Sequence, residues 1–173
     1  MPLGQYDFLI HNWMKIGIYI VPFLLLQFFT SRPENATLAF GDTKLISLLL
    51  LVAYILHQYE EHWVDLYGNY YAFFTATNKL FKGALGIEND EVFVLTREAI
   101  FVINTSLVWL VGTIAIWRSP NHLFPTLAMA GLTFVNAVTH MIGGLVTQSY
   151  NPGLLTAVIV IYSLDIKLFH NHT

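Results

Sequence analysis

Long apolar runs broken by short polar ones dominate the 173-residue chain. Runs over 14–30, 43–64, 92–117, 123–147 and 152–169 each approach the roughly 20 residues a helix needs to cross a bilayer. The pattern therefore predicts an all-α integral membrane protein, multi-pass, a single bundle of about five transmembrane helices. Trp13 and Lys15 suit the role of interfacial anchors, Pro22 that of a tolerated kink, and the lead-in YDFLIHNW a place at the headgroups. Ahead of Phe8 there is no basic region, so the first run is expected to be a retained span, not a removable signal. SRPENATLAFGD reads as the first loop. Between the second and third spans, 65–91 alternates Tyr67, Tyr70, Tyr71, Phe73, Phe74 and Phe81 with Asn, Thr and Lys, the texture of a segment lying at the interface. No internal repeat suggests the inverted halves of a transporter.

Composition agrees. Apolar residues make up 55% of the chain and charged ones 11%, against about 25% charged in soluble domains. The length leaves room for a single domain over 1–173 and no second one of ordinary size. A net charge of −3 with scattered Lys and Arg argues against a nucleic-acid partner. Membrane lipids and a small hydrophobic substrate are the expected partners. Basic residues do not orient the bundle: Lys15, Lys79 and Lys82 fall on the N-terminal side, and Arg32, Lys44, Arg118 and Lys167 on the other. The sequons at Asn35 and Asn171 both fall on that other side. With no cysteine, any metal must be held by His, Asp, Glu or neutral oxygens.

The ionisable residues are costly in lipid, roughly 2.5–3.5 kcal/mol each at the bilayer centre, and they are not scattered. On the second helix His57, Glu60 and Glu61 share one face through i, i+3 and i+4 spacing, while His62 points to another. On the fourth predicted helix Asn136 and His140 are again four residues apart. Both histidines lie roughly 10 Å from the same boundary. Glu98 and Asn104 on the third helix, and Tyr150 and Thr156 at the start of the fifth, reach toward the same layer. An interhelical hydrogen bond contributes only around 0.6 kcal/mol in a membrane, so a functional pocket accounts for the convergence better than structural glue does. Gly131, Ala137, Gly143 and Gly144 are expected to permit close helix packing, and Pro152-Gly153 to form the turn that starts the last helix.

The stretches H57-Q-Y-E60-E61, N136-A-V-T-H140 and Y150-N-P-G-L-L-T156 resemble the HxxEE, NAxxH and YxPGxxT motifs of the HXXEE family, in the family's order. The resemblance implies an integral membrane protein, with enzymatic activity of unassigned reaction. It marks His57, Glu60, Glu61, Asn136, His140, Tyr150, Pro152, Gly153 and Thr156 as motif positions.

Three chemistries suit the residues. In the first, His57, Glu61 and His140 hold a divalent metal, zinc or iron, as a two-histidine, one-carboxylate set with an open position. Glu60 or Glu98 then serves as general base, Asn136 orients a ligand or holds an oxyanion, and Asn104, Tyr150 and Thr156 line the substrate or support the ligands. The pattern is not the HExxH arrangement, so no protease mechanism transfers. In the second, a metal-free isomerase or cyclase uses Glu60 and Glu61 as acid and base, with His57 or His140 relaying the proton. In the third, the protein is a proton-coupled carrier or lipid-binding protein without catalysis. The gathering of polar groups near one face, with no line of them across the membrane, favours the enzymes.

Overall fold

The computed structural model describes residues 4–31, 42–89, 91–119 and 121–158. Most of the first loop, with Arg32 and Asn35, the last predicted helix past 158, Asp165, Lys167 and the Asn171 sequon lie outside the described residues. Among those described, regular structure is helical: α1 (Gly4–Ser31), α2 (Thr43–His62), α3 (Ala72–Leu85), α4 (Arg97–Arg118), α5 (Phe124–Thr147) and a single turn, α6 (Leu154–Thr156).

Caps explain where the helices start. The Asp42 carboxylate accepts from the amides of Lys44 and Leu45, and the Thr96 hydroxyl accepts from that of Ala99. Each satisfies amides that no helical carbonyl reaches. The sequence suggests a start near residue 92 for α4; the Thr96 cap moves it to Arg97. The lead-in expected at the headgroups is helical and continuous with the rest of α1.

The helix α2 is apolar around its whole circumference through Leu45, Ile46, Leu48, Leu50, Leu51 and Ile55, all buried. Such a helix must be surrounded, and α1, α4 and α5 pack on it. Tyr6–Ser31, Arg97–Arg118 and Phe124–Thr147 are the three described helices long and apolar enough to cross a membrane. Their outer faces carry exposed Phe23, Leu26, Trp117 and Leu145, consistent with a membrane protein. Within 65–91 the chain makes a turn around Asp65 and then α3, whose Asn78 amide donates to the Leu95 carbonyl and accepts from the Leu95 amide, both at 2.9 Å. That pair ties α3 to the segment leading into α4.

Close approaches occur at two of the expected glycines and at two others. A methyl group on Gly17 would lie 2.9 Å from the Trp109 ring, and one on Gly112 2.9 Å from Leu51. Gly143 and Gly144 do make room, for Asn151 and Leu154, whereas Gly131 has nothing within 4 Å and faces open space. Spacing along a helix cannot say which small residue meets a neighbour.

One stretch of α4, Asn104–Trp109, widens into a π-helix, with the Leu110 amide donating to the Thr105 carbonyl five residues back. The wider turn brings residues five apart toward one face. Asn104 and Trp109 consequently both reach the same side chain on α2, Gln58.

Candidate functional site

Two adjacent acids end α2, where the negative end of the helix dipole disfavours them by roughly 0.3–1 kcal/mol each at exposed positions. Their partners must come from other elements, and the two acids obtain very different ones.

Glu60 is fully served. Its Oε1 accepts from the Tyr150 hydroxyl at 2.7 Å, and its Oε2 from the Thr156 amide at 3.0 Å and the Thr156 hydroxyl at 2.6 Å. Tyr150 in turn accepts from the Leu66 amide at 3.1 Å. Burial first, and then the neighbouring Glu60 carboxylate, push the Tyr150 phenol above its usual 10.0, so it remains a donor at any ordinary pH.

Glu61 is buried, at 3% exposure, and among the described residues no hydrogen bond reaches its Oε2. Imidazole nitrogens surround it. His57 Nε2 lies 3.4 Å and His62 Nε2 3.1 Å from Oε2, and His140 Nε2 lies 3.3 Å from Oε1. Asn136 turns its Oδ1 to His57 Nε2 at 3.0 Å while its amide nitrogen donates to the Tyr54 hydroxyl at 2.9 Å.

Hydrogen bonding on the far side of each ring sets which nitrogen carries the proton. The Thr156 hydroxyl gives its only hydrogen to Glu60, so at 2.9 Å it accepts from His57 Nδ1–H. His140 Nδ1 faces Asn151 Oδ1 at 3.0 Å, again an N–H to a carbonyl. In a neutral His140 ring the Nε2 lone pair is thereby directed at Glu61, whereas His57 Nε2 faces two oxygens, Asn136 Oδ1 and Glu61 Oε2. The ligand atoms of His57, Glu61 and His140 lie within 4.8 Å of one another, and the three residues can hold a metal ion. Imidazole nitrogens around a buried carboxylate whose Oε2 has no hydrogen bond fit a cation, with Thr156 and Asn151 as the partners that orient metal-ligating histidines.

Gly153 explains why a turn residue belongs to the site. Its backbone is left-handed at φ +90°, and a methyl group there would lie 2.8 Å from His57 Cε1 and 3.0 Å from His140 Cε1. Only glycine meets both demands at low cost. Overhead, the Phe73 ring from α3 stacks against His62 at 5.1 Å and His140 at 5.8 Å between centroids. The aromatic segment thus lies against the cluster.

Most expected residues converge. His57, Glu61, His140 and Asn136 form the cluster, while Glu60, Tyr150 and Thr156 form a bonded unit beside it. Asn104 contacts His62 Nε2 at 3.3 Å. Glu98 stands apart, exposed in the first turn of α4 close to its Thr96 cap. His62, which the helical step sends to another face, instead joins Glu61, because α2 ends there and the ring folds back under Trp13 and Phe73. Spacing gave no hint of Tyr54, Gln58 or Asn151. Gln58 still had a signal of its own, an uncharged polar side chain one position from His57 in a buried apolar helix.

No curated protein and no solved structure matches the chain. Residues 48–166, well over half of it, match the model of a family described as a protein of unknown function with HXXEE motif. That stretch contains every residue of the Glu60 unit and of the Glu61 cluster, and this protein belongs to the HXXEE family.

Proposed function

We propose that the protein is a multi-pass membrane enzyme in which His57, Glu61 and His140 hold a divalent cation that acts on a small hydrophobic or lipid-like substrate. The observation that carries this reading is the buried Glu61 carboxylate, without a donor on Oε2 and faced by imidazole nitrogens at 3.1 to 3.4 Å. His57 Nε2 approaches Glu61 Oε2 at 3.4 Å and His140 Nε2 approaches Oε1 at 3.3 Å, so each carboxylate oxygen faces an imidazole, and one ligand atom from each of the three residues lies within 4.8 Å of the other two. Zinc or ferrous iron suits the donor set.

When bound, such a cation polarises a substrate oxygen or lowers the pKa of a bound water. The chain's own residues do the rest. Glu60 holds His57 in register through the Thr156 hydroxyl. Asn136, fixed by Tyr54, holds its Oδ1 against His57 Nε2 and so steadies that ring. Phe73 covers the site from the α3 side. We read α2 and the apolar run of sequence over 152–169 as two further spans beside the three apolar ones, and α3 as an interfacial cap; substrate then arrives from the bilayer.

A second reading is supported by the contrast between Glu60 and Glu61. Neighbouring carboxyls in unlike surroundings are how acid–base pairs are built, and a metal-free isomerase or cyclase would use them so. Elemental analysis of purified protein and a His140→Ala variant decides between the two. About one metal per chain, lost in the variant, supports the metal enzyme. Metal-free protein that still turns over substrate overturns it in favour of the second.

A further inference from the structure

A chain of side chains behind the cluster fixes His62, and its order is not arbitrary. The Trp109 indole N–H, a donor and nothing else, gives its hydrogen to Gln58 Oε1 at 2.7 Å. Gln58 must then present its amide nitrogen to Asn104 Oδ1, at 2.9 Å. That contact turns Asn104 Nδ2 toward the Ile100 carbonyl at 2.9 Å and His62 Nε2 at 3.3 Å. His62 Nε2 therefore receives a hydrogen and does not carry one. The same nitrogen is 3.1 Å from Glu61 Oε2. Two acceptors that close, with His62 only 5% exposed and Oε2 without a donor, repel unless a positive centre lies between them.

We infer that His62, whose Nε2 meets Glu61 Oε2 at 3.1 Å but lies outside the mutually close set of His57, Glu61 and His140, swings in as a further protein ligand of the cation those three hold, entering from the Oε2 side of Glu61. The inference rests on the metal-enzyme reading and extends it. Trp109, Gln58 and Asn104 are positioning residues: they keep the hydrogen off Nε2. The Asn104 contact is long at 3.3 Å and gives way when a metal takes the lone pair, the amide retaining its bond to Ile100. The π-helical stretch has a role in this, since it is what lets Asn104 and Trp109 grip the same glutamine.

The test is X-ray absorption spectroscopy of full-length protein in detergent loaded with one equivalent of zinc, beside a zinc titration of His62→Ala and, if that variant folds poorly, His62→Gln. Three imidazoles in the wild type, two in the variant and at least a ~10-fold loss of affinity are expected. In metal-free protein, imidazole nitrogen NMR should show His62 protonated at Nδ1, with Trp109→Phe eroding that preference. Two imidazoles in the wild type, unchanged affinity in the variant, or a hydrogen on Nε2 overturns the role of His62 and leaves the three-residue site standing. A wild-type protein that binds no zinc overturns both.

Discussion

Glu60 and Glu61 are neighbours in the chain, both buried in the last turn of α2, yet they occupy opposite kinds of surroundings. Around Glu60, two donor side chains and a backbone amide satisfy the carboxylate within the protein itself. Around Glu61 the neighbours are imidazole nitrogens at 3.1 to 3.4 Å, and among the described residues Oε2 is left without a hydrogen bond. One acid is built into the structure. Its neighbour is held ready for something from outside, and the same helical step that separates the two keeps their partners apart.

Removing the charge of Glu61 should have the largest effect. Glu61→Gln should reduce bound metal, measured by elemental analysis, from about one equivalent to background, because a neutral carboxamide is a poor ligand beside imidazoles. Metal-free Glu61→Gln should unfold no earlier than wild type, since a buried carboxylate with an oxygen left without a hydrogen bond is itself destabilising. Gly153→Ala comes next: the methyl would press on both ligand rings, and an L-residue in the left-handed region costs roughly 1–2 kcal/mol. Metal affinity should fall about 10–100-fold in a competition titration.

Glu60→Gln sharpens the contrast from the other side. Hydrogen bonds to a charged group contribute about 1.5–3 kcal/mol, so a loss of about 2 kcal/mol in unfolding free energy is expected by denaturant titration, with metal still bound. Should Glu60→Gln lose the metal as completely as Glu61→Gln, the division between the two acids is wrong. The smallest effect is in alkali. The Tyr150 phenol titrates higher in the folded chain than in the unfolded one, so its contribution is complete below about pH 10 and declines as pH rises past that value. Tyr150→Phe should flatten that alkaline slope in a melting-temperature series.

Much of this was legible from residue types alone. The i, i+4 spacing of His57 with Glu61 and of Asn136 with His140 already put two pairs on two helix faces, and the equal depths of the histidines matched them; their rings stand 4.8 Å apart between centroids. Glu98 had equal standing by depth but faces outward, because depth along a helix says nothing of rotation about it. His62 shows the reverse error: an angular step of about 100° describes where Cα points, and a long side chain at a helix end reaches around it. Gly153 read as a turn because φ is a local property, whereas the two rings against it come from distant helices.

By itself the sequence determined that the chain is helical, apolar enough for a membrane, free of thiol chemistry and supplied with His, Glu and Asn at matching positions, since hydropathy and helical period are properties of the chain one turn at a time. Tertiary structure alone decided which acid is satisfied and which is not, and that Gln58, Asn104 and Trp109 line up behind His62. Hydrogen bonds join atoms within about 3 Å of each other, and only the packing of helices far apart in sequence brings those atoms together.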